Sequence, residues 1–434
     1  MFTNKYYYFN KINLINFLIS LIPLSLILGN LATNINIVLI SLLGLLIYKK
    51  EIFKLNYKSY KPFLIYAFFV YLIVITIINN YSILEENNLY KSHIIKSIFY
   101  IRFLFFFLII NKLIENEEFD IKTFFISCGI FSFIVSIDII IQFFLKKNIL
   151  GFPVTNGRPS SFFGEENIAG GFLQKFTLLL IFYLTLIKKN KINKNNYIIF
   201  LSTLFLFPIV FTGNRMSMLI YIMSIFLFFI LEKNFKKILK SFLLIFAIIF
   251  LLIQFPLSER LSNDLKTFYK HSLNIIKEAP ELFLYNKNNS IKEWGSGYLI
   301  HFNTGVQIWK QKKIFGHGLK SFRLNCSYEN NQTCNTHPHN YFIEILVDQG
   351  VIGILIIYTI IISGTLKFLK YYYSTKKIND KLVSSVFFLL IFFEFFPIRS
   401  SGSFFSTNNS AFIFLILPIF LNFEKLKSYK VINK

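Results

Sequence analysis

Long apolar runs separated by short lysine-rich stretches dominate this sequence of 434 residues. Most of these runs are close to the roughly 20 residues that an α-helix needs to cross a bilayer, although the second, at 35–48, is short. Hydrophobic residues make up 54% of the chain, which excludes an ordinary soluble enzyme. The pattern predicts an all-α, polytopic integral membrane protein with about twelve transmembrane helices. The runs lie at about 13–30, 35–48, 63–79, 94–111, 123–145, 168–187, 197–212, 215–231, 238–254, 341–369, 382–398 and 410–423.

Lysine clusters determine the orientation that we expect for these helices. The net charge of +24 would suit a nucleic-acid partner. However, the lysines fall between the apolar runs, which is typical of cytoplasmic loops, so we expect no nucleic acid. This orientation places both termini on the cytoplasmic side of the membrane. The clusters lie at 49–61, 188–194, 233–240 and 367–381.

The same orientation divides the chain into three parts. Residues 1–254 hold transmembrane helices one to nine, and residues 255–340 form one large periplasmic loop. Residues 341–434 hold the last three helices and a cytoplasmic tail. Within the loop, amphipathic patterns predict short helices at 258–271 and 298–311. A turn at Gly316-His-Gly318 follows the second of them.

Two cysteines in the periplasmic loop, Cys326 and Cys334, are eight positions apart with only polar residues between them. An oxidising compartment permits a disulfide between them, and closing so small a loop would contribute about 2.5 kcal/mol. We therefore expect the bond, although two free thiols remain the alternative. Cys128 lies in an apolar helix and is expected to serve packing.

Arginines and buried charges concentrate near one face of the membrane. Asp138 and Lys175 both fall about 10–12 Å below that face, on successive helices. We expect them to form an ion pair, with Lys175 facing a substrate phosphate as the alternative. A polar chamber open to the outside favours an enzyme over a transporter, whose ions lie near the midplane. The arginines outside the membrane are Arg158, Arg215, Arg260, Arg323 and Arg399.

Two external turns suit an anionic, phosphorylated substrate. The first, at 157–171, carries Arg158 and places Asn167 where the next helix starts, which is a ready anion site. The second, at 212–217, carries Arg215 at the start of the next helix. Neither turn is specific alone, because such loops are common and an interfacial arginine can simply reach lipid headgroups.

A third polar stretch, at 337–353, opens the apolar run that continues to about residue 369. Ionisable groups are costly at this depth, so the stretch predicts an active site around His339, whose neutral imidazole can accept a proton. A cap that merely ends the loop is the simpler alternative. We expect His337 to face the loop, because Pro338 separates it from the helix. The polar residues are His337, His339, Asn340, Glu344 and Asp348.

Taken in order, these stretches resemble the O-antigen ligase family, whose relatives include O-antigen polymerases and bacterial O-oligosaccharyltransferases. The chain departs from the family pattern at Glu165-Glu166, where a proline is usual, and at Asn214, where a serine is usual. Both departures question the turn geometry more than the chemistry. The matching segments are Arg158…Gly164…Asn167-Ile-Ala169, Thr212-Gly-Asn-Arg215, Gly316-His-Gly-Leu-Lys-Ser-Phe322 and His339-Asn340…Glu344…Gly350-Val-Ile-Gly353.

The resemblance implies a fold like that of the C-type glycosyltransferases. It also implies transfer of a glycan from a polyprenyl-pyrophosphate carrier to an acceptor hydroxyl, on lipid A core or on a growing glycan. Arg158 and Arg215 would hold the pyrophosphate, and His339 would act at the acceptor. No cofactor or metal is implied, and the sequence has no Asp-x-Asp motif or metal-ligand spacing. The expected substrate-binding residues are Asn167, Lys175, Asn340 and Glu344.

Three alternatives to a ligase stay open at this point. A polymerase would use the same donor and differ only in its acceptor. A polyprenyl-glycan flippase or solute transporter would need a charged path across the inner half of the membrane, where the spans are almost purely Leu, Ile and Phe. A non-catalytic assembly or sensor protein would not depend on His339.

Overall fold

The computed structural model describes residues 2–53, 61–81, 88–155, 157–164, 166–188, 194–233, 297–326, 334–397, 399–400 and 402–426, with parts of 236–283. These residues confirm the all-α class, since β-structure within them is limited to isolated bridges. The predicted helix at 258–271 and the apolar run at 238–254 lie largely outside the described residues. The helices are α1 (Phe2–Ser20), α2 (Ile22–Leu28), α3 (Asn30–Tyr48), α4 (Lys61–Tyr81), α5 (Asn88–Phe99), α6 (Arg102–Glu115), α7 (Ile121–Leu145), α8 (Ala169–Ile187), α9 (Lys194–Phe211), α10 (Arg215–Leu231), α11 (Gly297–Gln311), α12 (Phe322–Asn325), α13 (Tyr341–Ser374), α14 (Ile378–Glu394) and α15 (Thr407–Leu421).

Within the described residues, seven helices are long and apolar enough to cross a membrane. An eighth span results if α1 and α2, which are bent by 46° at their junction, are counted together. Helices α10 and α15 are apolar but shorter. The predicted count of twelve is therefore not confirmed. The seven spans are Asn30–Phe53, Phe63–Asn80, Ser92–Glu115, Ile121–Leu145, Ala169–Ile187, Lys194–Phe211 and Tyr341–Ser374.

Large apolar side chains cover the periphery of the bundle as well as its interior. On α3, Leu42 and Leu46 are 54% and 64% exposed, and on α7 Phe133 is 55% exposed. A soluble monomer rarely exposes contiguous apolar surface of this kind, whereas a lipid-facing surface requires it. Together with the seven apolar spans, this surface identifies a multi-pass membrane protein.

Helix α8 lies at the centre of the bundle and positions the lysine that it carries, Lys175. It packs against α7, α9, α10 and α14, and nearly all of its side chains are buried. Gly129 of α7 permits a close approach to α8, because a Cβ there would lie 2.7 Å from the Leu180 side chain. Lys175 is consequently 7% exposed and needs a partner inside the protein.

The amphipathic pattern at 298–311 correctly predicts α11, which packs on the first turns of α13. Gly305 of α11 makes the close approach possible, since a side chain there would overlap Ile343. A small second hydrophobic core thus holds α11, α12 and the start of α13 together. Its buried residues are Leu299, Phe302, Val306, Ile308, Phe322, Ile343 and Val347.

Helix α13 is broken at Gly350, although the sequence predicts one uninterrupted apolar run. Gly350 has φ 64° and ψ −162°, a conformation that other residues rarely adopt. The segment 313–318, which contains the predicted Gly-His-Gly turn, enters the break. Amides of Val351 and Ile352 donate to the carbonyls of Lys313 and Ile314 at 3.0 and 3.3 Å.

The same segment also satisfies the carbonyl groups on the other side of the break. His317 and Gly318 donate their amides to the carbonyls of Val347 and Asp348 at 2.9 and 2.8 Å. The Asp348 carboxylate accepts the amides of Lys320 and Ser321 at 2.6 and 3.0 Å. Asp348 therefore fastens the inserted segment to α13, and the break leaves these backbone groups paired, as apolar surroundings require.

We predict that Gly350→Ala destabilises the protein strongly. An alanine Cβ would overlap the Ile314 carbonyl oxygen, and the positive φ would add strain of about 1–3 kcal/mol. Gly297→Ala is the matched control, because a Cβ there meets nothing within 4 Å. Thermal unfolding in detergent, followed by size-exclusion chromatography, measures both variants. Equal melting temperatures for the two would contradict the role given to the break.

Candidate active site

The two arginine-bearing turns are in direct contact. Asn214 caps α10 by accepting the Ser217 amide at 3.2 Å, and its own amide donates to the Asn167 carbonyl at 3.3 Å. Gly170 allows this approach, since a Cβ there would lie 2.6 Å from the Thr212 hydroxyl oxygen. The unusual Asn214 thus joins the two turns. Arg158, Asn167 and Arg215, the predicted site residues of these turns, are all partly buried.

The prediction that Asp138 pairs with Lys175 is wrong. The Asp138 carboxylate accepts the Ser161 hydroxyl at 2.6 Å and the Ile149 amide at 2.8 Å. It therefore anchors the segment that leads to Arg158. Helical rise gives the depth of a residue but not the side of the helix on which it lies, so equal depth did not imply contact.

Lys175 instead pairs with Glu394, at the end of α14. The Lys175 ammonium lies 2.9 Å from one carboxylate oxygen, and the Arg399 guanidinium lies 2.6 Å from the other. The Tyr341 hydroxyl also donates to this carboxylate, at 3.0 Å. All four residues are at most 8% exposed. This Glu394 network connects α8, the first residue of α13 and the segment after α14.

Asn340 and Glu344, both predicted to bind substrate, have partners inside the protein. The Asn340 amide donates to the carbonyls of Pro397 and Arg399 at 2.7 and 2.9 Å, and its oxygen caps α13. The Glu344 carboxylate accepts the Ser403 hydroxyl at 2.6 Å. Both side chains thus hold residues that follow α14 against α13, and they fix the start of the helix next to His339, which precedes the capping Asn340.

His339 lies among aromatic and imidazole rings just before α13. Its ring centroid is 4.2 Å from that of His337, 5.2 Å from that of His301 and 5.9 Å from that of Tyr298. Its backbone is left-handed, with φ 57°. Within the part of the chain that the structure describes, no three His, Cys, Asp or Glu side chains are placed to hold a metal ion.

His337 belongs to this cluster and is not turned away into the loop as expected. Its pKa is lowered to about 4, mainly by burial, and the neighbouring His339, His301 and Lys320 contribute in the same direction. Burial also lowers the pKa of Lys320. The surroundings of His337 thus disfavour additional positive charge, which keeps its imidazole neutral around pH 7.

Sequence reasoning missed two members of the cluster, Tyr298 and His301. They are three positions apart on α11 and therefore share one face of that helix. Tyr298 is 46% exposed, although its helix is otherwise well packed. A polar pair at helical spacing in a helix that precedes the His-Asn pair was the available signal. It became informative only once α11 was known to pack on α13.

We predict that Lys175 and Glu394 are energetically coupled. Glu394→Gln should lower the free energy of unfolding by about 3–5 kcal/mol, because it leaves two buried cations without their carboxylate. Lys175→Met should lower it less, because Glu394 keeps Arg399. The double variant should be less destabilised than the sum. The control cycle pairs Lys175→Met with Asp138→Asn, whose effects should add to within about 0.5 kcal/mol. Additive losses for Lys175 and Glu394 would contradict the network.

We further predict that His337 makes stability dependent on pH. Its pKa is about 4 in the folded chain and about 6.5 when unfolded, so the unfolded chain binds more protons between these values. The contribution of His337 to the free energy of unfolding is therefore fully present above about pH 6.5 and is lost as the pH falls towards 4. The melting temperature of His337→Gln should fall less over this range than that of the parent. Parallel curves would refute this.

Residues 198–358 match a family model described as O-antigen ligase. The matched region contains Arg215, His339 and the broken part of α13, whereas Arg158 and Glu394 lie outside it. No curated protein matches the chain. This match confirms the resemblance to the O-antigen ligase family that the three polar stretches predicted.

Proposed function

We propose that this chain is a membrane glycosyltransferase that moves a glycan from a polyprenyl-pyrophosphate carrier to an acceptor hydroxyl. One observation carries the proposal: the segment that presents His339 is linked, through Tyr341, Glu394 and Lys175, to the helix behind the arginine-bearing turns. A positive φ at a non-glycine residue such as His339 is typical of functional sites. The match of residues 198–358 to the O-antigen ligase family model supports glycosyl transfer as the reaction.

On the donor side, Arg158 and Arg215 bind the pyrophosphate. Guanidinium groups match phosphate oxygens in a bidentate manner and stabilise the charge that develops as the pyrophosphate leaves. Helix α8 begins next to these turns without a side-chain cap, so its first amides favour negative charge as well. Lys175 is held by Glu394 and is therefore left out of the donor site.

On the acceptor side, His339 acts as the general base. The acceptor hydroxyl gives its proton to the imidazole while its oxygen attacks the anomeric carbon of the carrier-linked glycan. The bond between that carbon and the pyrophosphate oxygen breaks, and the carrier leaves with the bonding electrons. General-base catalysis of this kind contributes about 10²–10⁴-fold to the rate.

The proposed location is the periplasmic face of the bacterial inner membrane. The lysine clusters support this orientation, because cytoplasmic loops carry an excess of lysine. The acceptor is lipid A core for a ligase and a growing glycan for a polymerase. Gene deletion separates the two: full-length carrier-linked chains with unmodified core indicate a ligase, and single repeat units on the core indicate a polymerase.

We predict that His339→Ala binds the carrier-linked donor but transfers about 10²–10⁴-fold more slowly, because only proton transfer is lost. Arg215→Lys should weaken donor binding or turnover, since lysine keeps the charge but not the planar fork. Arg158→Lys should act in the same direction. Purified protein, a carrier-linked glycan and a candidate acceptor, with chelator present, allow transfer and donor binding to be measured separately.

Arg102→Lys is the matched control for the arginine variants. Arg102 bonds to the Asn34 side chain and the Phe99 carbonyl at 3.1 and 2.7 Å, so a role in donor binding is not expected. Near-parental transfer by His339→Ala, or full activity in both site variants, would contradict the proposed site. Loss of transfer upon addition of chelator would contradict a metal-independent mechanism.

A further inference from the structure

The side chain of Asn335 contacts the proposed base directly. Its amide nitrogen lies 2.8 Å from Nε2 of His339. We propose that Asn335 is a positioning residue that makes Nε2 the proton-accepting atom of His339 and occupies the place of the acceptor hydroxyl until the acceptor binds. This inference rests on the proposed function, in which His339 is the general base.

The orientation of the Asn335 amide follows from its second contact. Its Oδ1 accepts the Thr336 amide at 2.7 Å, so the NH2 group must face His339. Turning the side chain over would set one N–H group against another and lose the bond to Thr336. Nε2 of His339 is therefore the acceptor in this contact. In a neutral imidazole, the ring proton then lies on Nδ1.

The chain around Asn335 is built to hold it there. Cys334, the preceding residue, is bonded to Cys326 at the end of α12. Helix α12 contributes Phe322 to the small core under α13, so the disulfide ties Asn335 to the same body that carries His339. His339 keeps its left-handed backbone conformation because these contacts hold the chain in place before it and the start of α13 holds the chain after it.

This arrangement identifies where the acceptor reacts. An imidazole nitrogen has one lone pair in the ring plane, so the Asn335 N–H and the acceptor O–H cannot both occupy Nε2. The acceptor hydroxyl displaces the amide and takes its position, about 2.8 Å from Nε2. Nε2 then accepts the hydroxyl proton as the oxygen bonds to the anomeric carbon and the carrier pyrophosphate departs. Solvent removes that proton from the imidazolium afterwards.

Two substitutions distinguish this role from simple packing. Asn335→Asp has the same shape but accepts where the amide donates, which favours a proton on Nε2 and removes the base. Asn335→Ala deletes the side chain yet leaves Nε2 able to accept. We expect transfer to fall at least 10²-fold in the Asp variant and less in the Ala variant. Donor affinity should stay unchanged in both. Asn335→Gln, which keeps the donating amide, should retain most of the transfer activity of the parent.

A structural role would give the opposite order, with Ala more harmful than the isosteric Asp. Asn325→Asp is the matched control, because it adds the same charge at the end of α12, next to the disulfide, at a side chain that bonds to the Ser321 carbonyl. Nonreducing gels check that every variant keeps the disulfide. An Ala variant more impaired than the Asp variant would overturn the proposal.

A second measurement needs neither donor nor acceptor. Nitrogen NMR of histidine-labelled protein in lipid, assigned with His339→Gln, reports which ring nitrogen carries the proton. We expect an unprotonated Nε2 in the parent and a protonated Nε2 in Asn335→Asp. A protonated Nε2 in the parent would overturn the inference. Full transfer by His339→Ala would instead refute the proposed function while leaving the assignment of Nε2 intact.

Discussion

The arrangement of the site depends on the ion pairs and the hydrogen bond that the Glu394 carboxylate makes. This carboxylate forms ion pairs with Lys175 of α8 and Arg399 after α14, and it accepts a hydrogen bond from the Tyr341 hydroxyl of α13, all at 2.6–3.0 Å. Burying three charges costs several kcal/mol per ion, which only complete pairing offsets. Hydrophobic residues of similar volume would pack the bundle without this cost. The network therefore fixes a geometry: it sets the position of His339 relative to the helix that follows Asn167.

The break at Gly350 solves a second problem, namely how polar backbone enters an apolar helical bundle. The inserted segment and α13 exchange hydrogen bonds on both sides of the break, so the entry leaves these groups paired. Asp348 then secures the end of the segment through the Lys320 and Ser321 amides. Irregular backbone at membrane depth is tolerated on this condition. The break thereby lets α11, with Tyr298 and His301, lie beside His339.

The sequence was sufficient for the properties that depend on local pattern. Apolar runs predicted the helical class, an amphipathic pattern predicted α11, and the ordered motifs predicted the family. It was insufficient where the outcome depends on which way a helix face points or on residues that are far away in the sequence. To predict the partner of Lys175, one has to know the direction in which its helix face points. To predict the break at Gly350, one has to know which segment fills it. No sequence pattern marks Asn335, because its role depends on the local backbone conformation that brings it into contact with His339.

The partners of the buried cations explain why the proposal assigns the donor to arginines outside the network. Lys175 and Arg399 share Glu394, so the charge of that carboxylate offsets much of theirs, and both are at most 8% exposed. Arg158 and Arg215 are only partly buried and lie on turns that approach each other through Asn214 and Asn167. In the proposed mechanism, a phosphate entering from solvent binds these groups without competing for the Glu394 carboxylate. In that mechanism, catalysis and architecture use separate cations, so that a variant of one set need not damage the other.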